Sequence, residues 1–112
     1  MMTREEVYAC AMALKGVTHI VQWGGSDVYK VGGKVFAICG LRGGVSFKVS
    51  EIGFEVLTNG GPGRQAPYLA KGSWVIVDLE DLEPDQAPDW IAGAHGLIAS
   101  KLTKATRAEL GL

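Results

Sequence analysis

Two histidines, two cysteines and an acidic run are the side chains of this 112-residue sequence that could do chemistry. His19 and His95 each lack a second His, Cys or carboxylate at ligand spacing on the same predicted element, so neither marks a metal site. Asp89 precedes His95 by too many residues to stack with it on one helix face. Surface or packing roles are expected for both histidines. Cys10 and Cys39 lie in apolar stretches. The start Met1-Met2-Thr3-Arg4 does not lead from basic residues into an apolar segment, so no secretory signal is expected. A reducing cytosol then predicts two free thiols behaving as small apolar side chains, with a redox pair as the alternative. Glu80, Asp81, Glu83 and Asp85 lack the spacing and the glycine of a calcium loop, and read as a solvated connector. No Ser-His-Asp or Cys-His order stands out. No catalytic residue, metal or cofactor is expected.

The glycines invite a phosphate-loop reading, which their context opposes. Gly60-Gly61-Pro62-Gly63-Arg64 lacks the Lys-Ser/Thr that closes such a loop and runs to Pro67 instead of into a helix. Turn formation is the expected role. The lysines are more informative. Residues 28–77 hold Lys30, Lys34, Arg42, Lys48, Arg64 and Lys71 against Glu51 and Glu55, a net +4, whereas residues 78–112 carry −4. Predicted hairpins are thus basic and the C-terminal third acidic. That polarity could serve phosphate contacts or an acidic partner, or simply reflect lysines placed on hairpins for solubility.

The elements that must position these groups follow from pattern. Thr3-Arg4-Glu5-Glu6 fits a capping box, and Val7, Cys10, Ala11 and Leu14 continue as a helix stripe ending near Gly16. Val28–Val31, Gly32-Gly33 and Lys34–Ile38 read as a hairpin on a type I′ turn. A regular register sets Val31 against Lys34 and Tyr29 against Phe36, with Tyr29, Val31, Phe36 and Ile38 on the core face. Val45–Val49 supplies a third strand, Ser50 caps a short helix that ends at Asn59-Gly60-Gly61, and Gly60 to Pro67 reads as loop. Trp74–Leu79 is the fourth strand. Pro88 opens a last helix whose apolar stripe runs from Trp90 through Leu102. The order α-β-β-β-α-β-α makes an α+β fold: an antiparallel sheet of about four strands backed by helices, in one domain over residues 1–112.

Composition agrees with a folded domain: 47% hydrophobic residues, 21% charged and a net charge of −1. One small core fits this length, and neither a disordered tail nor a coiled coil has that balance. The longest strictly apolar run, Ala9 to Leu14, is too short to cross a membrane. A cytoplasmic domain with no membrane partner is expected, and no whole-molecule field points to nucleic acid.

Val31-Gly32-Gly33-Lys34-Val35-Phe36-Ala37, the Phe47-Lys48 pair, the run Pro67 to Val75, Trp23-Gly24 and the closing amphipathic helix together resemble the MmcQ/YjbR family over nearly the whole chain. Two departures stand out. Ala94-His95 occupies a place where the family often has Ser-Tyr, and Gln22 precedes Trp23 where a proline is common. The resemblance implies a CyaY-like α+β fold and carries no catalytic residues over. It also implies a shape likened to a DNA-binding double wing, with Lys34, Lys48, Lys71 and Trp74 as the matching positions. Iron binding of the frataxin kind would want an acidic ridge on the first helix, which offers only Glu5 and Glu6. Two functional expectations result. The first is a non-enzymatic binding domain for nucleic acid, using Lys30, Lys34, Lys48 and Lys71 with Trp74 as a stacking face, although a strand tryptophan between apolar neighbours is ordinarily core. The second is a protein-interaction or small-molecule module with an aromatic pocket near Trp23, Tyr68 and Trp74. A small enzyme ranks third.

Overall fold

A computed structural model describes residues 1–112. Helix α1 (Arg4–Met12) starts on the expected capping box: the Thr3 hydroxyl accepts from the Glu6 amide while the Glu6 carboxylate accepts from the Thr3 amide. Strands β1 (Val17–Gln22), β2 (Ser26–Val31), β3 (Lys34–Cys39) and β4 (Gly44–Lys48) follow as an antiparallel meander. After α2 (Glu51–Thr58), capped by Ser50, come β5 (Gly63–Gln65), β6 (Trp74–Asp78), α3 (Ala87–Ala99) and α4 (Lys104–Leu110). The six strands form one antiparallel sheet in the order β1-β2-β3-β4-β6-β5.

The fold is α+β as the pattern predicts, with two more strands and one more helix. β1 is drawn from the β-branched run Val17-Thr18-His19-Ile20-Val21, whose strict alternation is lost at Ile20-Val21. β5 is a three-residue strand inside the expected Gly60–Pro67 loop. The expected last helix ends at Ala99, and Thr103 caps a separate α4 that closes on Gly111 in the left-handed conformation.

Helices α1 and α3 cover one face of the sheet, and α2 packs beside them against β5 and β6. Tyr29, Val31, Phe36, Val45, Phe47, Val75 and Val77 point into that layer and meet Val7 and Ala11 of α1 and Ile91 and Ala94 of α3. The Gly32-Gly33 turn has positive φ at both residues, as a type I′ turn requires, and Val31 pairs with Lys34. Two residues further the register differs from expectation. A bulge beyond the Lys30–Val35 pair sets Tyr29 against Ala37, leaving Phe36 unpaired. The extra residue shifts parity, so Phe36, Ala37 and Cys39 all enter the core while Ile38 turns to the opposite face.

Candidate functional site

On the face away from α1 and α3, one residue of each strand stands beside the next: Ile20, Val28, Ile38, Ser46, Ile76 and Arg64 form a continuous cross-sheet row. Ile38 and Ser46 are the floor of a cleft of about 490 Å³, a size suited to a small ligand. Trp23, at the β1–β2 turn, and Ser26 make one wall. Pro67, Tyr68 and Leu69, in the β5–β6 loop, make the other, and Gly40 completes the lining. None of these residues is an Asp, Glu, His, Lys, Arg or Cys.

Both aromatic walls are held against backbone preference. Trp23 has φ +50° and Tyr68 φ +65°, and no other non-glycine residue has positive φ. Such conformations cost of the order of 1–3 kcal/mol and persist only where surrounding structure enforces them. For Trp23 the enforcement is a tight turn closed by the Gly25 amide donating to the Gln22 carbonyl at 3.2 Å. For Tyr68 it is the side chain of Gln65. Its Nε2 donates to the carbonyls of Ala66 (2.9 Å) and Leu69 (3.2 Å), and its Oε1 accepts from the Gly72 amide at 3.0 Å. One amide thus ties both ends of the loop together. Despite the strain Trp23 is 64% exposed and Tyr68 fully so. No sequence pattern distinguishes Gln65, the last residue of β5, from any other glutamine.

Trp74 does not line the cleft. It is buried outside the main core, opposite Lys48, and offers no ring for stacking. The lysines do not converge on one face. Lys34 shares the side of its partner Val31, whereas Lys30, the neighbour of Val31 in β2, points to the other. Lys71 is exposed in the Tyr68 loop. Lys48 stands at a separate groove of about 480 Å³ between α2 and α3, where Phe47 stacks on Trp90 and Asp89 forms part of the rim. Burial and the nearby charge of Lys101 lower the Lys48 pKa.

The remaining titratable groups are accounted for structurally. His95 is buried edge-on against Phe36, and its Nε2 donates to the Lys15 carbonyl at 2.8 Å. His19 lies on β1 across the first hairpin from Tyr29, and its Nε2 meets the Asp27 carboxylate at 2.8 Å. The Arg4 guanidinium binds the same carboxylate and the Gly40 carbonyl, clamping α1 to the sheet. Burial alone would raise the Asp27 pKa, but hydrogen bonds and charge from His19 and Arg4 outweigh it and hold it below the usual carboxylate value. Both thiols are free, and burial raises their pKa. No three His, Cys, Asp or Glu side chains gather as a metal site, and no helix is long and apolar enough to cross a membrane.

The model of the YjbR family matches residues 12–97, most of the chain, including the β1–β2 turn, the sheet and α3 as far as Leu97. The chain belongs to the YjbR family. Its fold is similar to the crystal structure of a Deinococcus radiodurans protein assigned to domain family DUF419. The TM-score is 0.89 at 25% identity, covering 100% of this chain and 90% of that one. No curated protein matches. The YjbR match spans Trp23, Tyr68 and the Gln65 that holds the loop.

Proposed function

We propose that this YjbR-family chain is a non-catalytic binding module whose site is the cleft between Trp23 and Tyr68, and that it takes an uncharged planar or apolar group. The observation that carries this reading is the pair of strained, exposed aromatic residues on opposite walls of one cleft. Strain at two non-glycine positions reduces stability, and its concentration at a single concave site favours a role for that site. The floor of Ile38 and Ser46 supplies apolar contact with one hydroxyl for orientation, the usual composition of a small-ligand site. With no carboxylate, imidazole, amine or thiol in the lining to activate its serine and tyrosine hydroxyls, the cleft favours recognition over turnover. The test is a two-dimensional NMR titration with indole and with adenosine. Saturable shifts at the Trp23 indole N–H, Ser46 and Leu69 are expected. Shifts confined to the α2–α3 groove, or none at millimolar probe, would refute the assignment.

A second reading, single-stranded nucleic acid, is favoured by the position of Lys71 three residues from the exposed Tyr68 in the same loop. A stacking ring beside a cation that can meet phosphate is the usual pairing in single-strand recognition. Because Lys30, Lys34 and Lys48 point in different directions, few phosphates would be engaged. The salt dependence of oligonucleotide binding should then be shallow, with a log–log slope of about −1 to −2. A steep slope, or preference for duplex over single strand, would count against it.

A further inference from the structure

Of the two sheet edges, only one is protected. β5 is three residues long and carries Arg64, paired with Asp78 at 3.1 Å, which are ordinary means of blunting an edge. β1 is six residues long and is the only strand with no Asp, Glu, Lys or Arg. It contains no proline, and its pairing with β2 is regular throughout. None of the backbone hydrogen bonds of turns, loops and caps involves residues 17–21, so the outward amide and carbonyl groups there have no protein partner. Ile20 and Val21 are 45% and 57% exposed on this strand. Shortness, charge, proline and bulges, the devices that blunt strand edges from within the strand, are all missing from β1.

We infer that β1 pairs antiparallel with β1 of a second copy of this chain, joining two sheets into one of twelve strands. A two-fold axis perpendicular to the sheet requires a residue to face itself, because opposed residues in an antiparallel ladder must point to the same face. Centring the axis on Ile20 uses the strand best: Ile20 meets Ile20 of the second copy, His19 meets Val21, and Thr18 meets Gln22. The apolar row Ile20–Val28–Ile38 then continues across the axis, and α1 and α3 of both copies stay on one side. A strand without formal charge opposes no like charges when paired with itself, which suits a second copy.

Sedimentation velocity across a wide concentration range tests this. The parent should sediment at twice the monomer mass at high concentration. Ile20→Lys sets two ammonium groups opposite each other at the axis and should return the protein to monomer mass with its circular dichroism unchanged. In a Cys10→Ser background, Ile20→Cys should form a covalent dimer on mild oxidation, while Thr18→Cys alone should not. This second arm serves even where the lysine variant misfolds. A parent that stays monomeric at millimolar concentration, including one that pairs only with a strand from another protein, overturns the inference. So does a folded Ile20→Lys variant as dimeric as the parent, or an Ile20→Cys variant that does not cross-link.

Discussion

Tyr29 stands opposite Ala37 across the β2–β3 ladder, one residue past the Phe36 that a regular hairpin would set against it. That single extra residue has two results. Phe36 and Ala37 both enter the core, and Ile38 is delivered to the far face as cleft floor. Without the bulge, Ile38 would lie among the core residues and the cleft would lose its apolar base.

The placement of Ile38 has a measurable consequence. Phe36→Ala removes a fully buried ring and should cost about 3–5 kcal/mol in denaturant unfolding. Ile38→Ala removes a partly exposed side chain outside the core cluster and should cost less than half as much, while weakening probe binding in the cleft. Equal losses of stability would return Ile38 to the core.

The two turn glycines should separate in the same assay. Gly33 has φ +77° and open space around a added Cβ, so Gly33→Ala carries backbone strain alone, about 1–2 kcal/mol. At Gly32 the same strain applies and a Cβ would also lie 2.6 Å from the Leu102 side chain just beyond α3. Gly32→Ala should therefore be the more destabilising of the two. The reverse order would mean that Leu102 yields without cost.

How much of this was readable beforehand depends on whether the signal is local. The capping box at Thr3, the Gly32-Gly33 turn and the Ser50 cap are local hydrogen-bond or dihedral requirements, and each stands in the structure. The bulge at Phe36 is not local, because which of two apolar residues is extruded depends on packing against α3. β1 carries a weak sequence signal because its neighbours Ile20 and Val21 break alternation, and only its β-branched run and the Trp23-Gly24-Gly25 turn mark it. Of the expected pocket, Trp23 and Tyr68 line the cleft. Trp74 does not: it shares the parity of Ile76, but it stands at the first position of β6 opposite Lys48 and its ring is buried there. The scattering of the lysines likewise follows from strand parity, which net charge over a segment does not record. The Arg4–Asp27–His19 cluster joins an element N-terminal to the sheet with two strands, so no spacing within one element could show it.

That cluster makes part of the stability acid-sensitive. Asp27 has a folded pKa below its ordinary value of 3.8, so its contribution is complete above the unfolded pKa and is lost as pH falls through the folded one. Asp27→Asn should destabilise the protein at neutral pH, by about 1.5–3 kcal/mol for the loss of charged hydrogen bonds in a partly buried site. The difference from the parent should shrink steadily below pH 4, as unfolding curves taken down the pH scale would reveal. A difference independent of pH would mean that shape, and not charge, joins Arg4 to the sheet.

The thiols offer a check on packing. Cys39 is fully buried and Cys10 partly so, and burial raises the pKa of each. A thiol reagent should label Cys10 slowly and Cys39 more slowly still in the native protein, with both reacting at once after unfolding. Rapid native labelling of Cys39 would show that the sheet opens near β3.

The sharpest prediction concerns strain at the cleft. Trp23 adopts φ +50° with its ring largely in solvent, so its backbone cost is not offset by burial. Trp23→Gly removes that cost but enlarges the conformational freedom of the unfolded chain, and the two effects partly cancel. Stability should therefore change by less than about 1 kcal/mol, unlike the loss expected for a buried tryptophan. Binding of indole or adenosine should fall at least tenfold in the same variant. Trp23→Phe keeps both the strain and a planar ring and should retain most of the affinity. This set separates a wall of a binding site from a structural residue, because a structural tryptophan would lower stability and leave the titration unchanged once folded protein is counted. Gln65→Leu should act on the opposite wall: by releasing the loop that carries Tyr68, it should weaken the same probes without touching them. Unaltered binding in both Trp23→Gly and Gln65→Leu would remove the cleft as the site of recognition.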